Sequence, residues 1–285
     1  YYLTSDRRGV RGGELPSPVA PDDPPLRGLL AWSGFGANIP KLARAAPRSG
    51  FFNAITDLDG VVRSVPLIAS FEGQLYESLA LAVLREATKA STLLIEREPG
   101  ETHGGLRTLK VVGGVKGWRI PADARGAALI PFRGRGGPDG GTFRYISAAD
   151  VLLGRLPPAD LAGKIALVGF TSPGLMDLRT TPVGSAYPGV EMHANLLSGM
   201  LDGEVPAVPD WSQEFELALV LALGGVLMFI LPVLGVGRLI ALGALLVLGV
   251  LAANTALFLA KHWVLPMATG LLMVMAALAV NLTLG

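Results

Sequence analysis

The sequence predicts an α/β domain, a mixed sheet with helices, over residues 1–210, followed by a three-helix transmembrane segment over residues 211–285. Three observations lead there. Charge is unevenly spread: 16% of the 285 residues are charged, yet only Glu214, Glu216, Arg238 and Lys261 lie beyond Trp211. Three apolar runs follow one another in that region, each near the roughly 20 residues that a helix needs to cross about 30 Å of hydrocarbon. Before Trp211, short apolar runs of strand type alternate with segments of helical periodicity, punctuated by Gly, Pro and Asp.

The elements of the first region follow in order. Residues 11–25 are rich in Pro, Gly, Asp and Glu and read as a loop. Residues 29–32 form a short strand, and 41–46 a helical turn after Pro40. Residues 51–55 and 61–71 are strand-like around the turn TDLDG, and Glu72-Gly73 is another turn. Leu75, Leu79, Ala82, Val83 and Ala87 mark one face of a helix that runs to about Ala90. Residues 106–112, 118–120 and 127–132 are further strands, and RGRGGPDGG at 133–141 is a glycine-rich loop. Ser147 is placed to cap a short helix through Leu153, with Asp150 three residues on. KIALVGF at 164–170 has the continuous apolarity of a buried strand. Residues 189–201 read as a helix.

The membrane helices are expected at about 215–237, 239–260 and 263–284. The connectors Gly237-Arg238 and Lys261-His262 are short enough to force antiparallel hairpins. Trp211 and Trp263 sit at the positions of interfacial aromatics, on the same side of the membrane. Pro232 and Pro266 lie near helix ends. Asn254 and Thr255 are polar within the second run, where they bond either a neighbouring helix or local backbone. No acidic or basic residue lies inside a membrane run apart from its ends, which argues against an ion pathway. Arg238 and Lys261 oppose each other in setting orientation. An odd number of spans places the first region and the C-terminus on opposite sides.

Composition excludes several classes of function. A net charge of +1 with scattered arginines gives no case for nucleic acid. With no cysteine there are no disulfides, thiolate chemistry or cysteine zinc sites. His103, His193 and His262 stand apart without metal-ligand spacing. Ser172 lacks the G-x-S-x-G elbow of a nucleophile. No catalytic constellation, cofactor or metal is expected. The chain opens on Tyr1 without a signal peptide, and an exported domain needs an upstream signal or span. It is therefore expected to be an internal or processed piece of a longer protein.

Three motifs remain. TDLDGVVR carries Asp57, Asp59, Gly60 and Arg63, which opens like a calcium loop but lacks the downstream ligands and bidentate Glu. It reads as a tight turn with a positive φ at Gly60 and Arg63 paired to the carboxylates, a metal loop being the alternative. Arg133, Arg135 and Arg144 flank the glycine-rich loop, as an anion patch or as solvated charge. The stretch 171–187 follows the most apolar strand as a long polar loop, and a rigid element at its base makes it a candidate binding loop.

Two segments together match a known family. One is GFFNAITDLDGVVRSVPL at 50–67 with SLALAVL at 78–84. The other is GKIALVGFTSPGLMDLRTTP at 163–182 with YPGVEMHANLLSGML at 187–201, joined by YISAADVLLGRLP at 145–157. They resemble the second class of CHASE domain (CHASE type 2), the extracellular sensor of bacterial adenylate cyclases and histidine kinases. The resemblance covers most of residues 29–202. It implies an extracytoplasmic domain whose N-terminal part lies upstream of Tyr1, about three spans after it, and a cytoplasmic output domain that this chain does not contain. It implies no ligand and no activity of these residues.

The function expected is a sensor in the bacterial inner membrane, multi-pass, with its first region in the periplasm or outside. The alternative is a membrane-anchored accessory subunit docked on a larger assembly. Expected partners are the lipid bilayer, a second copy or a larger membrane complex, and an unknown small ligand or protein. The candidate binding residues are Thr171, Ser172, Asp177, Arg179 and Thr180 in the loop, with Glu191, His193 and Asn195 on the helix that follows. Glu191 and Asn195 are four apart and share a helix face, while His193 points elsewhere. The group either binds a ligand or ties the loop to the helix.

Overall fold

In the computed structural model, the described residues are 1–5, 8–20, 26, 28–90, 92–97, 106–112, 117–171, 177–230 and 235–284. Two compact units make up the chain, Tyr1–Val205 and Pro206–Gly285.

The first unit is built from small mixed sheets and helices. β1 (Tyr2–Thr4) pairs antiparallel with β4 (Gly34–Gly36), which also pairs parallel with β2 (Arg11–Gly12). β3 (Ala31–Trp32) runs parallel to β7 (Ile68–Phe71), and β7 antiparallel to β8 (Gln74–Glu77). β6 (Val62–Pro66) lies between β5 (Ile55–Thr56) and β12 (Ala127–Leu129), antiparallel to both. β9 (Thr92–Arg97), β10 (Leu106–Val112) and β11 (Trp118–Pro121) form an antiparallel meander. β13 (Leu178–Thr181) and β14 (Gly184–Pro188) form a hairpin. The helices are α1 (Pro40–Ala45), α2 (Leu79–Ala87), α3 (Ala148–Leu152) and α4 (Gly189–Asp202).

Burial explains the two long helices. α2 buries Leu81 and Leu84, and α4 buries Met192, Leu196, Leu197 and Met200, in one core with Val62, Val65, Leu109 and Ile120 from the strands. Ser78 caps α2, its hydroxyl accepting the Leu81 N–H. Gly203, at φ 77°, closes α4 with a left-handed cap.

Several expectations are corrected. Leu75 lies in β8, not on a helix, because Gln74–Glu77 pairs back on β7 across the Glu72-Gly73 turn. Residues 61–71 divide into β6 and β7. Strands β1, β2, β4 and β9 were not expected, being short or only weakly alternating. Ser147 precedes α3, but its hydroxyl makes no cap bond. Residues 164–170 form no strand: Ile165, Val168 and Phe170 are 44%, 91% and 70% exposed, and no sheet partner lies beside them among the described residues. Apolar side chains favour a strand only where a neighbouring backbone takes up its N–H and C=O groups.

The second unit holds three helices, α5 (Ser212–Ile230), α6 (Val236–Lys261) and α7 (Ala268–Leu284). α5 and α6 are long and apolar enough to cross a membrane, and α7 is a shorter apolar helix. Leu223 and Leu227 of α5 bury against Val274 of α7. Gly237 and Arg238 belong to the start of α6 rather than to a connector, and Pro232 lies outside the described residues. The second connector is longer than Lys261-His262 and runs to Met267. Asn254 reaches out of α6 to donate to the Leu265 carbonyl at 3.1 Å. The Trp211 and Trp263 rings meet edge to face at 5.2 Å.

Candidate functional site

The site is assembled on one face of α4. β14 ends in Tyr187-Pro188 and α4 starts at Gly189, so Tyr187 leads into the helix while Glu191 and Asn195, four apart, share one of its faces. Gly189 is required there, because a Cβ would strike the Asp177 carboxylate, whose backbone carbonyl already accepts the Gly189 N–H at 2.7 Å. Tyr187, Glu191 and Asn195 are all buried.

Over this face lies the glycine-rich stretch 133–141. Asn195 is almost fully used: Oδ1 accepts the Arg133 N–H at 3.1 Å, and Nδ2 donates to the Tyr187 hydroxyl at 2.8 Å and the Glu191 carbonyl at 2.9 Å. Glu191 Oε2 accepts the Tyr145 hydroxyl at 2.6 Å and the Gly137 N–H at 2.7 Å. Glu191 Oε1 is buried without a partner. Gly136 sits so close to Tyr187 that a Cβ would come within 2.7 Å of the ring. The Phe132 ring packs edge to face on Tyr187 at 5.2 Å. At the far end of α4, the Arg133 guanidinium bonds Asp202 and, at 3.0 Å, Glu204.

Burial and the neighbouring Glu191 carboxylate push the Tyr145 phenol well above its ordinary range. The same two causes push Tyr187 up to about 12. Both hydroxyls therefore remain protonated donors near neutral pH.

The other candidates separate from this cluster. His193 is buried on a different face, with Nε2 3.3 Å from the Phe52 carbonyl and Nδ1 unpartnered. Burial lowers its pKa, partly offset by the Phe52 bond and the charge of Asp177. The expected loop at 171–187 is largely the β13–β14 hairpin, because Leu178 and Arg179 pair with Pro188 and Tyr187. Arg179 and Thr180 are exposed on it, Thr180 3.4 Å from the Ser185 carbonyl. Thr171 is half-buried, and Ser172 lies outside the described residues. The polar tie runs to the glycine-rich stretch, and to the loop at 171–187 as well through the Asn195–Tyr187 and Gly189–Asp177 bonds. Its partners Tyr145 and Gly137 lie outside the candidate residues, and Tyr187 enters only as the last residue of the expected loop.

The arginine patch is also corrected. Arg133 is taken by Asp202 and Glu204, and Arg144 by Asp160 at 2.7 Å. The TDLDG turn has the expected chemistry. Gly60, at φ 80°, returns its N–H to the Asp57 carbonyl, and Arg63 bonds Asp57 at 2.8 Å and Asp59 at 2.7 Å. Its bonds with Arg63 and the Val61 N–H hold Asp59 down to about 2. Among the described residues no group of three acidic or histidine side chains is placed to hold a metal.

None of the curated proteins and none of the solved structures compared with the chain matches it. The model of the CHASE2 domain matches residues 9–229, more than three quarters of the sequence. That span takes in the TDLDG turn, the glycine-rich stretch, all of α4 and most of α5, and the chain belongs to the CHASE2 family of extracytoplasmic sensory domains.

Proposed function

We propose that the chain is the sensory part of a multi-pass bacterial inner-membrane protein. The binding of a ligand or partner at the Glu191–Asn195 face is passed through three membrane helices to an output domain on the cytoplasmic side. α5 and α6 span by length and composition, and α7, with 17 residues, is the third span. The observation that carries this reading is the path out of α4. The helix ends at Asp202, and five residues on, the Ala207 N–H donates to the His262 carbonyl at 2.9 Å while its own carbonyl accepts the Val264 N–H at 2.9 Å. The strand leaving the sensory domain is therefore stitched to the connector between α6 and α7 before it enters α5. A displacement of the linker acts on the whole helical unit, and binding shifts the equilibrium by whatever difference in affinity exists between its two states.

The absence of cysteine makes the topology directly testable. A membrane-impermeant thiol reagent added outside is expected to label Pro138→Cys and to miss Arg238→Cys; the reverse pattern overturns the orientation. For the relay, a kinase output domain is fused after Gly285. Ala207→Pro removes the N–H of the bridge and is expected to change kinase output without changing the melting of the sensory domain. Unchanged output rules out the linker as the route.

A further inference from the structure

We infer that the Glu191 cluster is a binding site for an organic ammonium group, with the glycine-rich stretch 133–141 as its lid. The inference rests on the sensory reading above and names the class of ligand at that site.

Three observations lead to it. First, Glu191 is 3% exposed, yet no Lys, Arg or His pairs with its carboxyl group among the described residues. Its donors are all neutral: the Tyr145 hydroxyl and the Gly137 N–H on Oε2, and the neighbouring Tyr187 hydroxyl. Oε1 is buried and unpartnered. A buried carboxylate without a counter-charge is strongly unfavourable, and a positive group is what relieves it.

Second, the surroundings suit ammonium better than a metal ion. A hard divalent cation takes about six or more oxygens, usually several of them carboxylates, and Glu191 has no such company. A primary ammonium has three donors to place. The acceptors at hand are Glu191 Oε1 and the phenol oxygens of Tyr187 and Tyr145, and the Tyr187 ring, with Phe132 packed on it, offers a cation an aromatic face.

Third, the cover over the cluster is a glycine-built stretch held at two points. Gly134, Gly137 and Gly141 adopt positive φ, and Gly136 fits against Tyr187 only because it has no Cβ. The middle of the stretch is fastened to Glu191 by the Gly137 N–H, while Arg133 anchors its first residue to Asp202 and Glu204. Lifting the middle about that anchor uncovers the carboxylate.

The test is a calorimetric titration of the full chain in detergent with methylammonium chloride. Parallel titrations use potassium chloride and tetramethylammonium chloride at constant ionic strength. Saturable methylammonium binding is expected, with potassium much weaker. Glu191→Gln keeps the acceptor for Gly137 and Tyr145 but removes the charge, and is expected to weaken methylammonium by about tenfold or more. Tyr187→Phe is the second variant if Glu191→Gln fails to fold, with a smaller loss expected. No saturation by methylammonium, equal affinity in these variants, or potassium binding as tightly as methylammonium each overturns the inference. Tryptophan fluorescence from Trp211 and Trp263, followed in the same titration on a chain carrying Trp32→Phe and Trp118→Phe, separates it from the relay. Saturable binding with an unchanged signal keeps the site and refutes the transmission reading.

Discussion

Two glutamates are buried to nearly the same depth in the sensory domain, Glu77 at 5% exposure and Glu191 at 3%. Glu77, at the end of β8, receives Arg85 from α2 at 2.7 Å. Glu191 receives neutral groups, phenols and a backbone amide. Burial alone raises the Glu77 pKa, and the Arg85 bond and charge work against that rise. Where a buried carboxylate serves the framework, this fold supplies the cation from a neighbouring element. Where it does not, the charge is left open beneath a glycine cover. The difference marks Glu191 as a place where stability has been spent on something other than holding the fold.

The largest expected effect tests the framework side. Arg85→Met leaves Glu77 buried without its cation and is expected to destabilise the domain by about 3–5 kcal/mol, read from denaturant unfolding. A loss well under that would mean the two glutamates are not different in kind. Next comes Asn195→Ala, which strands the Arg133 N–H and the Tyr187 hydroxyl under the lid. About 2–3 kcal/mol is expected from two unmet polar groups, along with faster hydrogen exchange across residues 133–141.

His193 extends the comparison to a buried group that gains charge on acidification. Burial depresses its folded-state pKa below the ordinary 6.5, with only the Phe52 carbonyl and Asp177 opposing. Its contribution to stability is therefore complete above about pH 6.5 and is lost as pH falls through the lower folded value. Melting temperature should drop on acidification through that window, and the drop should shrink in His193→Gln. An unchanged slope would assign the acid sensitivity elsewhere.

Glu191→Gln keeps both hydrogen bonds and removes the uncompensated buried charge, so it is expected to raise stability rather than lower it. That gain, set against the loss at Arg85, is the sharpest form of the contrast. The smallest effect belongs to the exposed turn. Asp59→Ala should leave the melting temperature nearly unchanged, and added calcium should not restore or raise it. Calcium stabilisation lost in the variant would revive the metal reading of TDLDG.

Local chemistry was the legible part. The Asp57–Asp59–Arg63 turn is readable because its partners lie within seven residues. The shared face of Glu191 and Asn195 follows from helical spacing. What spacing does not carry is the partner from afar. Tyr145 reaches Glu191 across 46 residues and Gly137 across 54, and nothing in the glycine-rich run names its acceptor. Leu75 fits a helical face and a hairpin strand equally well, and the turn at Glu72-Gly73 decides for the strand. Residues 164–170 show the opposite failure, an apolar pattern with no neighbouring strand among the described residues to complete it.

The Trp211–Trp263 contact also has a consequence for the lipid. It fixes the start of α5 and the end of α6 at one depth. With 19 and 26 residues, these helices are about 29 and 39 Å long at 1.5 Å per residue. Level at one end, they differ by about 10 Å at the other, so α6 must lean or carry Arg238 past the far surface. A thin bilayer favours the lean and a thick one lets the helix stand. Bilayer thickness then acts on the same helical unit to which the proposed relay leads, and the depth of Arg238 in short- and long-chain lipid discs measures how far the membrane itself sets its position.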